Sequence, residues 1–136
     1  MQSADSEALP QGAFRVIKPC GDFRASDWLM SRSEPSPQMR AYIAMEGLGF
    51  EMASPARYVA ALEEAGFQDI VLTNRNRWYL EQAQRERAWM SGPGYDRLVA
   101  AHGTAFIDDQ IATWDAMIGV LESGEHCPHH LRARRP

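Results

Sequence analysis

The sequence predicts a mixed α/β fold of about three strands and about five helices. Three observations carry this prediction. Residues 14–28 read as a helix end, a Lys-Pro-x-Gly turn and an alternating stretch that closes on Asp27 and Trp28. A helical pattern ending Glu-Ala-Gly-Phe at Phe67 runs straight into a β-rich segment. A long amphipathic stretch, residues 104–121, leads into a short basic closing run.

Each element has a local reason. Residues 1–11 are polar and patternless, so a flexible start is expected. Residues 12–18 suit a short helix, with Phe14, Val16 and Ile17 apolar. Pro19 stops it, having no N–H and biasing its predecessor away from helix, and Gly21 is expected to supply the turn. Residues 22–28 alternate, Phe23, Ala25 and Asp27 on one side, Arg24, Ser26 and Trp28 on the other. That period of two predicts a strand.

After a loop at 31–37, Ser36 before Pro37 is an N-cap with proline at the first helical position. A helix should run to about Glu46, with Met39, Tyr42 and Ile43 on one side, and Gly47 and Gly49 break it. Ser54 and Pro55 repeat the signal. The next helix, with Tyr58, Val59, Leu62 and Ala65, ends at Gly66, and residues 67–73 form a strand. Residues 77–90 are helical, the run from Ser91 to Gly94 is a turn, and residues 95–101 form a short helix. The helix at 104–121 carries the stripe Ile107, Ile111, Trp114, Ile118 and Leu121. Residues 131–135 suit a last strand.

Bulk properties narrow the function. The length of 136 residues suggests one domain, and the net charge of −4 argues against nucleic acid, which wants a basic face. The cluster Arg132, Arg134 and Arg135 is too short to change that. Two cysteines make no disulfide framework, and no basic n-region precedes an apolar stretch, so a reducing, cytoplasmic setting is expected. No apolar run approaches the roughly 20 residues that span a bilayer, so no membrane partner is expected.

Candidate site residues follow from position. Asp27 and Trp28 close a strand, where open α/β sheets bind ligands; a strand-end tryptophan also packs under loops. Tyr42 and Glu46 lie one helical turn apart and share a face. Arg75, Asn76, Trp78 and Tyr79 follow the second strand and either line a pocket or cap the next helix. His126, Cys127, His129 and His130 are metal-ligand types, yet their spacing matches no zinc pattern; they read as a loop, and no metal is assigned.

The order of elements, with Arg15-Val-Ile-Lys-Pro-Cys-Gly-Asp-Phe23, Ala25-Ser-Asp-Trp28, Met39-Arg-Ala-Tyr-Ile43, Tyr58-Val-Ala-Ala-Leu-Glu-Glu-Ala-Gly-Phe67 and the closing residues 124–136, resembles the C-terminal half of class I S-adenosylmethionine-dependent methyltransferases. The likeness covers residues 12–136. It is nearest to the phosphoethanolamine and sarcosine/dimethylglycine N-methyltransferases. The resemblance implies a partial Rossmann-like sheet in the order five-seven-six, the last strand antiparallel and central. It implies a substrate-side region binding a small amine, with Trp28 against the amine and Tyr42 lining the substrate. A basic phosphate-binding residue of the family falls where this chain has Glu46, which suits a cationic amine instead.

S-adenosylmethionine is the implied cofactor. Its glycine-rich loop and the strand before it are missing from these residues. The expectation is therefore a truncated or partial N-methyltransferase, inactive alone and unable to bind the cofactor well by itself. The alternative is a non-catalytic interaction module, pairing through an exposed strand edge with a second copy or with a separate cofactor-binding chain.

Overall fold

The computed structural model describes residues 8–49 and 52–136. Its elements are α1 (Ala8–Val16), β1 (Asp22–Asp27), α2 (Pro37–Glu46), α3 (Pro55–Glu64), β2 (Gln68–Asn74), α4 (Asn76–Met90), α5 (Tyr95–His102), α6 (Thr104–Glu122) and β3 (His129–Arg134). The described residues thus hold six helices and three strands. Within the chain the contacts form two compact units. Unit 1 comprises Met1–Glu34, Gly49–Arg75 and Cys127–Pro136, and unit 2 comprises Pro35–Leu48 and Asn76–His126.

Unit 1 is the sheet with α1 and α3. Strand order is β1-β3-β2, and both neighbours run antiparallel to β3. This is the order and direction that the resemblance implies. Burial alternates residue by residue along β3, with His129, Leu131 and Ala133 buried and His130, Arg132 and Arg134 exposed. One sheet face meets Leu62 of α3 and Phe67 in a core that includes Phe23, Leu29 and Leu131. Phe67 stands edge-on to Phe14 at 5.1 Å and beside Phe23 at 5.5 Å. Each such buried side chain contributes about 1.5–3 kcal/mol relative to an exposed one.

Three details differ from the sequence reading. The first helix begins at Ala8, four residues before the expected residue 12, because Pro10 is compatible with a first turn, where its missing N–H has no partner to lose. The rest of the expected flexible start, residues 1–7, lies outside the described residues. In the Lys-Pro-x-Gly turn, Cys20 takes the positive φ (63°), not Gly21. Gly21 N donates to Lys18 O at 2.9 Å, and a Cβ there would meet Ile17 Cγ2 at 2.7 Å. Gly21 is thus needed for close approach, and proline followed by a positive φ is a type II turn. The last strand starts at His129, two residues before the expected Leu131, so half of the expected loop is sheet. In β2 the pairing shifts between Gln68 and Val71, at Asp69 with φ 51°, a bulge that bends the strand.

Unit 2 is helical. Ser36 caps α2 by accepting from Met39 N at 3.1 Å, and Gly47 closes it in the left-handed conformation (φ 65°). Helix α6 packs against α2, α4 and α5. Its most buried residues are Ile107, Thr113, Met117, Val120 and Leu121. The expected stripe is matched only at its ends, because a helix with several neighbours buries more than one face; Ile111, Trp114 and Ile118 are half-buried. Polar braces are prominent. Buried Glu125 accepts from Ser36 N (2.7 Å) and Ser36 Oγ (2.5 Å). Asn76 Nδ2 donates to Leu121 O (2.9 Å) and His126 O (2.7 Å), satisfying a helix-end carbonyl.

Candidate functional site

In unit 1 the register aligns Asp27 of β1, His129 of β3 and Asn74 of β2 in one row at the carboxyl ends of β1 and β2. Directly opposed residues share a sheet face. The half-buried Asp27 accepts from Trp28 N through Oδ1 at 2.8 Å. Burial raises the Asp27 pKa above its ordinary value, and the Trp28 N–H and the Tyr58 hydroxyl partly offset this. Buried Tyr58, from α3, is pushed up to about 12, first by burial and then by the Asp27 carboxylate beside it. The phenol therefore stays protonated at neutral pH.

Buried His129 places Nδ1 2.5 Å from the Cys127 carbonyl oxygen. A carbonyl only accepts, so Nδ1 carries the proton and Nε2 is left as the acceptor of the neutral ring. Burial pushes the Cys127 thiol up to about 11, which leaves it a packing group and not a nucleophile. Arg75, one residue past β2, is held through its N–H to Pro128 O at 2.8 Å. A carboxyl, a phenol and an imidazole acceptor thus come from one sheet end, where Trp28 directly follows β1. These groups suit a small cation whose charge faces a carboxylate and an aromatic ring.

The eight strand-end and helix residues singled out in the sequence divide between the units. Asp27, Trp28 and Arg75 belong to unit 1, and Tyr42, Glu46, Asn76, Trp78 and Tyr79 to unit 2. Tyr42 is fully buried, its hydroxyl donating to Glu46 Oε1 at 3.3 Å and its ring 5.6 Å from that of His126. Burial, then the Glu46 charge, raises the Tyr42 pKa well above its ordinary value. Trp78 is 46% exposed and stands edge-on to Tyr79 at 5.1 Å.

Sequence reasoning overlooked Tyr58 and Asn74, and it placed His129 in a loop. The alternation of His129, Leu131 and Ala133 against His130, Arg132 and Arg134 was the available signal for the last. Among the described residues no three His, Cys, Asp or Glu side chains are grouped to hold a metal. His126 and His129 are buried, in unit 2 and unit 1 respectively, and His130 is exposed on the opposite sheet face from His129.

The glycines Gly92 and Gly94 lie in the turn between α4 and α5. A Cβ at Gly94 would meet the Trp89 ring at 2.6 Å, so this glycine serves ring packing.

No protein-family model matches the chain. Among curated proteins it is 31% identical over 121 residues to a phosphoethanolamine N-methyltransferase of Triticum aestivum, covering 89% of this chain and 23% of that protein. The chain therefore spans about a quarter of the length of such relatives. Among solved structures it superposes on Haemonchus contortus phosphoethanolamine N-methyltransferase 2, in complex with phosphomonomethylethanolamine and S-adenosylhomocysteine. That match has a TM-score of 0.86 at 17% identity, over 97% of this chain and 30% of that one. The cyclopropane synthase MmaA2 of Mycobacterium tuberculosis gives 0.84 at 6% identity, over 95% of this chain and 49% of that one.

Proposed function

With the fold and relationship of the C-terminal half of a class I S-adenosylmethionine-dependent methyltransferase as premise, we propose that this chain forms the substrate wall of an N-methyltransferase acting on a small amine. The row of Asp27, His129 and Asn74 beside Trp28 and Tyr58 is the observation that carries the reading. Asp27 faces the ammonium charge, and the Trp28 ring offers cation–π attraction to methylated nitrogen. Methyl transfer needs a free amine lone pair. His129 Nε2 is the acceptor that takes the amine proton, because Nδ1–H is committed to the Cys127 carbonyl. Cofactor binding is assigned to residues other than those described.

Two titrations of the full chain test this. Tetramethylammonium, followed by the indole N–H resonances, should move Trp28 saturably, and Asp27→Asn should abolish the response. Movement of Trp78, Trp89 or Trp114 alone, or no movement, overturns the assignment. In calorimetry S-adenosylmethionine should give no micromolar binding, and micromolar binding would overturn the assignment to substrate alone.

The sheet order favours a second reading. β1 is an edge strand, and among the described residues its outer side has no strand partner. Such an edge suits pairing with a second copy or another chain. Light scattering after size exclusion discriminates, since a clean monomer at high concentration removes it.

A further inference from the structure

The face of the unit 1 sheet opposite the core mixes polar side chains with the exposed apolar Val71, and it carries chemistry that the strand-end row does not use. Two cross-strand rows define it. Ser26, His130 and Thr73 stand opposite one another across β1, β3 and β2, and the next row on this face is Arg24, Arg132 and Val71. They line an open depression of about 570 Å³.

The arrangement is costly without a counter-charge. Arg24 and Arg132 are direct cross-strand partners, and like charges in that position destabilise a sheet. Arg134, two residues on, adds a third guanidinium to the same face, directly opposite the single carboxylate there, Asp22. Arg24 has one carboxylate, Asp22 at 3.2 Å, and both are solvent-exposed. Among the described residues Arg132 and Arg134 have no ion-pair partner. This excess of positive charge lies on a chain whose net charge is −4.

The sheets of doubly covered α/β folds read as continuous apolar runs because both faces are buried. Here β1 and β3 alternate, so this face is built for a polar neighbour. Guanidinium N–H groups match the oxygens of a phosphate in geometry and charge. The adjoining row supplies the Ser26 and Thr73 hydroxyls and one imidazole N–H of His130, further donors about two residues along the strands.

We infer that this open sheet face is a binding site for a phosphate-class dianion, the monoester group of a small molecule, with Arg24 and Arg132 as the charge-bearing pair and Ser26, His130 and Thr73 as the adjoining donors. The inference is independent of the strand-end amine site, and either can fail alone.

The test uses the full chain, labelled with nitrogen-15 and titrated with inorganic phosphate and then phenyl phosphate. Ionic strength is held constant with chloride. Saturable shifts should concentrate at residues 24–26, 71–73 and 130–132. Arg132→Gln should weaken binding about tenfold, the loss of one charge-assisted contact. Arg97→Gln, on α5, should change nothing. Arg132 is exposed, so an unchanged circular dichroism spectrum is expected to accompany the loss. Linear, unsaturated shifts overturn the inference, as do equal effects of the two substitutions. Binding only to a polyanion such as heparin, with no saturation by inorganic phosphate, also overturns it.

Discussion

Unit 1 and unit 2 are held together in different ways. In unit 1 a ladder joins strands far apart in sequence, and its apolar face buries Phe23, Leu62, Phe67 and Leu131 together. In unit 2 helices pack on α6, and a few polar groups fix their ends: Ser36 to Glu125, Asn76 to two carbonyls, Arg87 to Asp115. The contrast teaches where each is vulnerable. Unit 1 should suffer most from lost apolar volume, and unit 2 from the loss of single polar atoms.

The largest expected effect is in the sheet unit. Phe67→Ala should cost about 3–5 kcal/mol, from lost transfer energy and the cavity left between Phe14 and Phe23. Urea unfolding measures the total, and amide exchange shows whether unit 1 opens first. Next is Ser36→Ala, which removes both the α2 cap and a hydrogen bond to the Glu125 carboxylate. A loss of about 1.5–3 kcal/mol is expected, with faster exchange in α2. If it equals the Phe67→Ala loss, the contrast between the units fails.

A smaller effect, opposite in sign, tests Asp27. Its pKa is raised by burial, so its proton is bound more tightly in the folded state. The stability this contributes is full at low pH and is lost as pH rises through the folded pKa. Asp27→Asn should therefore stabilise the protein at pH 7, and the gain should vanish on acidification below the ordinary carboxylate range. Denaturation midpoints across pH measure this, and a pH-independent gain would contradict it. Smallest of all is Arg87→Ala. The Arg87–Asp115 pair is bidentate but exposed, so its removal should be nearly silent in high salt. Thermal melts at two salt concentrations check it.

The legible parts of the sequence were the local ones. Ser36 before Pro37 and Ser54 before Pro55 announce α2 and α3, because a cap is decided within four residues. The β1 alternation separated two sides, and within the strand Phe23, Ala25 and Asp27 are the more buried one and Arg24 and Ser26 the exposed one; Trp28 lies past the strand end and is half-buried. The turn after α1 was foreseen, but not which residue carries its positive φ, since Cys20 has no sequence signature for that conformation. Ser36 and Glu125 are 89 positions apart, and nothing local points from one to the other. The row of Asp27, His129 and Asn74 was half legible. Asp27 was singled out from its strand end, whereas His129 was grouped by chemistry with His126 and Cys127. Register sorts these neighbours, placing His129 in the sheet, and register is a property of three strands at once.

The chain passes between the units at 34/35, 48/49, 75/76 and 126/127. Neither unit is therefore a contiguous stretch that a truncation can isolate. Cutting after Arg75 deprives the sheet of β3, its central strand, and a piece beginning at Asn76 lacks α2 and its capping serine. Unit 2 is written as two insertions into the framework of unit 1, one before α3 and one between β2 and β3. Replacing each insertion by a short turn is the genetic route to a free-standing sheet unit, and joining the two insertions is the route to the helical one.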